Sequence, residues 1–216
     1  MKKKVDILLL GSGGREHALL AKLAESPRAG RLYVAPGNGG MDVMAEKVEG
    51  LDAEIGLVVI GPEAPLVAGV ADAVRTAGIA CFGPNGAAAQ MEGSKKFAKQ
   101  VMSRAGVPTA AYRSFTDEAS CADYVRRVGA PIVVKADGLA ARKGVIVAKT
   151  TEEALAGVHE CFSGAFGEAG ATVVVEETLD GPECSLLALT DGTTVMPLAT
   201  AQDHKRALDG DKGPNT

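Results

Sequence analysis

Short apolar runs alternate with helical spacing along the first half of the chain. Four runs predict buried strands: Val5–Leu10, Arg31–Ala35, Gly56–Ile60 and the shorter Ala80–Phe82. Three stretches with apolar residues on one helical face follow them: Glu16–Leu23, Leu66–Ala77 and Ser94–Arg104. Because strands and helices alternate, the pattern predicts an α/β fold with a doubly wound, Rossmann-like parallel sheet.

The pattern becomes richer in strands after Gly106-Val107-Pro108. Five runs predict strands: Ile132–Lys135, Val145–Ala148, Thr172–Glu177, Cys184–Leu189 and Val195–Leu198. Helical spacing covers Thr151–Cys161. We therefore predict two domains, residues 1–106 and an α+β domain of residues 107–216. The stretch Gly213–Thr216 is interpreted as a loop without a closing element, so we expect an N-terminal portion whose second domain is incomplete.

Length, charge and cysteine content narrow the class of protein. A chain of 216 residues suits two domains, and the formal net charge of -4 offers no basic face for a nucleic acid. The run Val5–Leu10 is too short for a signal peptide or a membrane span. Four cysteines stand far apart and are interpreted as reduced thiols. These features predict a cytoplasmic protein with neither nucleic-acid nor membrane partners.

A glycine loop, Gly11-Ser12-Gly13-Gly14, joins the first strand to the first helix. Backbone amides at a helix N-terminus favour an anion such as phosphate. Glu16 stands where a dinucleotide fingerprint has its third glycine, which disfavours NAD, and the chain contains no Walker sequence. Arg15 could complete a phosphate site, and Glu16 could pair with an amine or a ribose hydroxyl. The alternative is a glycine turn that only caps the helix.

Two further loops follow the next strands, Pro36-Gly37-Asn38 and Gly61-Pro62-Glu63. The carboxyl ends of parallel strands meet at one edge of a sheet, where such folds bind ligands. We therefore expect all three loops to converge on one ligand.

Lysines and glycines frame a turn in the second half of the chain. Lys95 precedes it, Lys135 ends a strand, and Gly138, Lys143 and Gly144 belong to the turn itself. Ammonium groups and a closing glycine loop suit a polyphosphate. Apolar residues then lead to an acidic strand end that could bind a nucleoside: Glu176, Glu177, Leu179 and Glu183. An ordinary hairpin with surface lysines and solvated acids is the alternative for each segment taken alone.

Six segments together resemble the glycinamide ribonucleotide synthetase family: Gly11–His17, Pro36–Asn38, Gly61–Leu66, Glu92–Lys95, Lys135–Ala140 and Gln202–Arg206. The resemblance implies an ATP-grasp enzyme of purine biosynthesis. Such an enzyme phosphorylates glycine with ATP, and 5-phosphoribosylamine then displaces phosphate from the glycyl phosphate, giving glycinamide ribonucleotide, ADP and phosphate. It also implies Mg²⁺ or Mn²⁺ as cofactor and a monomer or weak oligomer.

The resemblance also implies a role for particular residues. Phosphoribosylamine would bind to Gly11, Gly13, Gly14, Arg15, Glu16, Asn38, Pro62 and Glu63. ATP would bind to Lys95, Lys135, Gly138, Lys143, Gly144, Glu176, Glu177, Leu179 and Glu183. Catalysis would fall to Lys135, Lys143, Asp203 and Lys205. The metal ligands of the family would follow this sequence, so none is expected within it.

The sequence departs from the family in three ways. Arg142 replaces a glycine of the phosphate loop, and we expect it to alter loop closure. The stretch between Asn38 and Leu57 is shorter than in the family. The segment that carries the family's metal ligands is missing, and because phosphoryl transfer depends on that metal, we expect the isolated chain to be inactive or nearly so. Two alternatives stay open: another ATP-grasp carboxylate-amine ligase, or a non-catalytic ligand-binding fragment.

Overall fold

The computed structural model describes residues 4–50, 54–138, 144–202, 206–210 and 212–215. The chain divides into two compact units, Met1–Thr178 and Leu179–Thr216. The boundary that we place between residues 106 and 107 falls inside the larger unit and stays a prediction.

The larger unit begins with a five-stranded sheet. Its strands are β1 Val5–Gly11, β2 Ala29–Pro36, β3 Glu46–Lys47, β4 Leu57–Ile60 and β5 Ala80–Phe82. They lie in the order β3-β2-β1-β4-β5, and every neighbouring pair is parallel. The chain therefore builds outward from β1 in one direction and then from β4 in the other. The point of reversal, between β1 and β4, is where such sheets form a ligand crevice.

Four helices pack against the two faces of this sheet: α1 Gly14–Ala24, α2 Glu63–Val67, α3 Val70–Thr76 and α4 Gly86–Gly93. A fifth helix, α5 Lys95–Arg104, follows α4. Successive side chains of a strand point to opposite faces. Accordingly Leu9 packs in one core with Leu20 of α1, while Leu8 packs in another with Leu66 and Val74. This arrangement confirms the predicted doubly wound sheet.

The prediction of one helix over Leu66–Ala77 is wrong. Gly69 has φ +82, a left-handed conformation that ends α2 and precedes α3. Leu66 and Val74 belong to the same core on either side of the break, so their apolar spacing continues although the helix does not.

A second, antiparallel sheet follows α5. Its strands are β6 Tyr112–Phe115, β7 Ile132–Ala136, β8 Val145–Ala148 and β9 Val173–Glu177, in the order β6-β9-β7-β8. Two helices, α6 Glu118–Val128 and α7 Thr151–Phe162, contribute to its core through Val125 and Val158. A short 3₁₀ helix spans Gly167–Ala171. The sequence analysis had not identified β3, α4, β6 or α6.

The smaller unit contains two hairpins, β10 Ser185–Thr190 with β11 Val195–Ala201 and β12 Arg206–Leu208 with β13 Lys212–Asn215. Asp191 shapes the first turn, because its Oδ1 accepts hydrogen bonds from the backbone of Thr193 and Thr194. The interpretation of Gly213–Thr216 as a loop is corrected, since residues 213–215 are part of β13. Within the described ranges, no helix has both the length and the apolar character needed to cross a membrane.

Candidate active site

The glycine loop after β1 is built around the side chain of Glu16. The Gly13 N–H donates to Glu16 Oε2 over 2.7 Å. A Cβ at Gly11 would lie 2.3 Å from Glu16 Cγ, and a Cβ at Gly61 would lie 2.4 Å from the same atom. Carbon atoms in contact need about 3.5–4.0 Å. The two glycines therefore leave the space between the ends of β1 and β4 to this one side chain.

Glu16 is buried rather than presented on the surface of the loop. Only 4% of the residue is exposed. Its Oε1 is buried and has no hydrogen-bond partner among the described residues. A buried carboxylate oxygen ordinarily needs a partner, so this oxygen has unused capacity to accept a hydrogen bond beneath the loop.

The loops after β1, β2 and β4 contact each other, as the parallel topology predicts. Asn38 Nδ2 donates to the backbone oxygen of Ser12 over 2.8 Å, and its Oδ1 accepts from Gly40 N–H. Arg15 Nη1 lies 2.9 Å from Glu63 Oε1. Asn38 thus supports the glycine loop from one side, and Arg15 connects it to the loop after β4 on the other.

The Arg15–Glu63 pair lies near solvent, with 67% and 36% of the two side chains exposed. The hydrogen bond that Arg15 donates to Glu63, together with the negative charge of that carboxylate, raises the pKa of Arg15. Exposed ion pairs of this kind contribute only about 0–1 kcal/mol to stability. The pair therefore contributes little to the stability of the fold.

A cleft of about 820 Å³ opens beside this pair. Three residues that we predicted for phosphoribosylamine line it: Arg15, Pro62 and Glu63. Five that we predicted for ATP line it as well: Lys95, Lys135, Gly138, Gly144 and Glu176. The remaining predicted residues of the glycine loop region, Gly11, Gly13, Gly14, Glu16 and Asn38, are not among the residues that line the cleft.

A cluster of two lysines and one glutamate forms part of the cleft wall. Lys135 on β7 and Glu176 on β9 are diagonal neighbours in the antiparallel pair, and Lys135 Nζ lies 2.9 Å from Glu176 Oε2. Lys99 on α5 approaches the same oxygen to 3.1 Å. The sequence analysis missed Lys99. Its spacing of four residues from Lys95, which places both on one face of α5, was the available signal.

Lys95 is held at the junction of α5 and β7. Its Nζ donates to the backbone oxygen of Gly138 over 2.8 Å. Burial lowers the pKa of Lys95, although the nearby Asp137 carboxylate acts in the opposite direction. Asp137 also accepts hydrogen bonds from Ser94 Oγ and from the backbone N–H of Lys96. The start of α5 is thus fixed to the end of β7, and Lys95 and Lys135 line the same cleft.

Glu177, another residue predicted for ATP, does not line the cleft. The carboxylate of Glu177 accepts a hydrogen bond from Ala111 N–H over 2.9 Å and so connects β9 to the segment before β6. Leu179 and Glu183 belong to the smaller unit, where both are exposed. The predictions for Lys143, Asp203 and Lys205, and that for Arg142, lie outside the described residues.

Acidic and histidine side chains do not gather into a metal centre in the described part of the chain. No group of three or more His, Cys, Asp or Glu residues there is arranged to hold a metal ion.

Comparison with known proteins places this architecture in a family. Residues 5–92 match the family described as phosphoribosylglycinamide synthetase, N domain. Residues 93–216 match phosphoribosylglycinamide synthetase, ATP-grasp (A) domain. The two matches together span nearly the whole sequence.

Individual relatives agree with these matches. The chain is 57% identical over 224 residues to the phosphoribosylamine-glycine ligase of Rhizobium meliloti, covering 98% of this chain and 53% of that protein. The crystal structure of phosphoribosylamine-glycine ligase from Thermotoga maritima is 32% identical, with a TM-score of 0.85, and the likeness covers 98% of this chain and 54% of that one.

A more distant structure shares the fold alone. The biotin carboxylase domain of the Hydrogenobacter thermophilus 2-oxoglutarate carboxylase, solved with MgADP and bicarbonate, is 17% identical with a TM-score of 0.71, over 93% of this chain and 50% of that one. The chain spans about half the length of the curated relatives that it matches. Two adjoining family matches and relatives above 50% identity lead to one conclusion: the chain belongs to the phosphoribosylglycinamide synthetase family.

Proposed function

We propose that this chain carries the amine-substrate site and part of the ATP site of a ligase that joins glycine to 5-phosphoribosylamine. In this reaction a glycine carboxylate oxygen attacks the γ-phosphorus of ATP, and ADP leaves. The amine of phosphoribosylamine then attacks the carbonyl carbon of glycyl phosphate, and inorganic phosphate leaves with the former carboxylate oxygen. The products are glycinamide ribonucleotide, ADP and phosphate.

One observation carries the proposal. A single cleft is lined both by Arg15 and Glu63, which follow strands of the parallel sheet, and by Lys95 of α5 and Lys135 of β7. Ligation requires two substrates within reach of one another. A shared cleft with separate polar groups on its two sides supports this class of reaction better than a site for a single ligand.

We assign the amine substrate to the Arg15 side of the cleft. A guanidinium suits the phosphate of phosphoribosylamine, and the Glu63 carboxylate suits its amine or ribose hydroxyls. The two groups now hydrogen-bond to each other over 2.9 Å, so a ligand that carries both a phosphate and donors could replace each partner. Glu16 and Asn38 do not line the cleft. Their hydrogen bonds to the backbone of Gly13 and Ser12 hold the glycine loop in place.

We assign the phosphates of ATP to the lysine side. Lys95 and Lys135 are two cations that line the cleft from different elements, and positive charge there stabilises the negative charge that moves during phosphoryl transfer. The Hydrogenobacter enzyme, which shares the fold, was solved with MgADP. Mg²⁺ or Mn²⁺ would neutralise the phosphates further, with ligands from outside the described residues.

The test is ADP release by the full polypeptide that contains this sequence, with ATP, glycine and phosphoribosylamine supplied together and with each omitted in turn. We expect release only when all three are present, and we expect Lys135→Met to reduce it at least about 100-fold, as removal of a positioned charge typically does. Lys149→Met is the matched control, because Lys149 is exposed and does not line the cleft. Equal ADP release without glycine would contradict the proposal.

A further inference from the structure

The buried lysine of the cleft wall, Lys99, has no part in the assignments made so far. Only 6% of it is exposed, and Glu176 is buried to the same degree. An isolated charge at such depth is strongly disfavoured unless it is paired and hydrogen-bonded. A lysine retained there needs an explanation beyond surface solubility.

Lys99 is held rigidly by its surroundings. Its Nζ donates to Thr109 Oγ1 over 2.8 Å and to the backbone oxygen of Ala110 over 3.1 Å, and it lies 3.1 Å from Glu176 Oε2. These three acceptors match the three N–H donors of an ammonium group. The face of the Tyr112 ring, 5.5 Å away, adds a cation–π contact. Lys99 thus has no donor left for a ligand.

Lys135 is placed differently although it shares the same carboxylate oxygen. Glu176 is its one hydrogen-bond acceptor among the described residues, and 25% of its side chain is exposed towards the cleft that it lines. A carboxylate carries one negative charge, and here it is divided between two ammonium groups. Without Lys99, the whole of that charge would act on Lys135.

The net charge of the residues that line the cleft also depends on Lys99. The described residues that line it include four cations, Arg15, Lys95, Lys99 and Lys135, and three anions, Glu63, Glu92 and Glu176. The lining therefore has a net positive charge only as long as Lys99 is present. Attraction for an anion would be lost with that single ammonium group.

We propose that Lys99 is a positioning residue for phosphate binding: it neutralises Glu176 from the core side and thereby leaves the Lys135 ammonium available to the polyphosphate of a nucleotide. The inference rests on the proposed assignment of ATP to the lysine side of the cleft. It gives Lys99 a role without contact with the substrate, which separates it from Lys95 and Lys135.

The experiment compares dissociation constants for ATP and for inorganic tripolyphosphate, measured by calorimetry on the full polypeptide. Lys99→Met keeps the length of the side chain and removes its charge, and we expect at least about tenfold weaker binding of both probes. Lys99→Arg keeps the charge and should remain within about threefold of the wild type. Lys96→Met removes a charge from the same helix at a position outside the cleft lining and should change neither constant.

A role in folding alone gives a different result. If Lys99→Met melts at a lower temperature but binds both probes with wild-type affinity below its melting range, the proposal is overturned. If Lys99→Met does not fold, the double variant Lys99→Met/Glu176→Gln tests the same charge balance, because it removes both members of the buried pair together and leaves Lys135 without a competing carboxylate. We then expect tighter binding of tripolyphosphate, and equal or weaker binding overturns the proposal.

The outcomes also separate this inference from the function on which it rests. If wild-type protein binds ATP and Lys135→Met weakens binding while Lys99→Met does not, only the role of Lys99 fails. If the wild type binds neither probe, or Lys135→Met has no effect, the assignment of ATP to this side fails, and the role of Lys99 fails with it.

Discussion

The packing of Glu16 against Gly61 gives a quantitative prediction about the centre of the parallel sheet. In Gly61→Ala, the new Cβ would lie 2.4 Å from both Cγ and Oε1 of Glu16, which is more than 1 Å inside normal contact distance. Glu16 is only 4% exposed, so its side chain cannot move away without disturbing the loop. Overpacking of this kind costs about 1–3 kcal/mol.

The assay is thermal unfolding of four proteins that form a double-mutant cycle. Gly61→Ala should lower the melting temperature by about 2–12 °C, since about 2–4 °C accompanies each kcal/mol in a chain of this size. Glu16→Ala removes the three atoms that lie nearest to the new methyl group, so in that background Gly61→Ala should cost much less. The coupling energy should therefore be about 1–3 kcal/mol.

Gly39→Ala is the matched control, because a Cβ at Gly39 meets no atom within 4 Å. We expect its melting temperature to stay close to that of the wild type. The reasoning is refuted if Gly61→Ala lowers the melting temperature equally with and without Glu16, since the clash would then not involve this side chain.

Three further predictions concern charge and reactivity. Because burial lowers the pKa of Lys95, its ammonium loses its proton as pH rises through that lowered value. Tripolyphosphate affinity should then begin to fall at a lower pH than the ordinary pKa of a lysine would predict, and Lys95→Arg should flatten this dependence; an unchanged pH profile would contradict it. Arg15→Met should lower stability by less than about 1 kcal/mol but weaken binding of ribose 5-phosphate at least about tenfold, and calorimetry showing unchanged affinity would remove Arg15 from the site. Thiol labelling should modify the exposed Cys184 first and Cys121 far more slowly, because burial raises the pKa of Cys121 to about 12; equal rates would refute this.

The fold was largely predictable where local pattern and burial agree. Strands such as Val145–Ala148 are apolar runs with clear ends, and the structure places that strand at the predicted residues. Gly69 shows the opposite case, because a glycine within apolar helical spacing does not reveal by itself whether the helix tolerates it or breaks there. Helix α6 was missed although Asp117 caps it by accepting from Ser120 N–H over 2.8 Å, since its charged residues outnumber its buried ones.

The candidate site was predictable as a set of loops but not as a set of contacts. The positions of Arg15 and Glu63 after neighbouring strands indicate proximity, whereas their 2.9 Å ion pair depends on the three-dimensional path of both loops. The burial of Lys99 beside Glu176 joins residues far apart in the chain. The sequence shows that Glu16 stands where a dinucleotide-binding fingerprint has its third glycine. Only the structure shows that its side chain packs between Gly11 and Gly61.

The fate of the carboxylate oxygens of glycine tests the central proposal most directly. The full polypeptide is supplied with ATP, phosphoribosylamine and glycine labelled with ¹⁸O in its carboxylate, and the released phosphate is examined by mass spectrometry. Ligation through glycyl phosphate transfers one labelled oxygen to each phosphate released, in step with formation of glycinamide ribonucleotide. Unlabelled phosphate would mean that water, rather than glycine, attacks ATP, and it would contradict the proposed function.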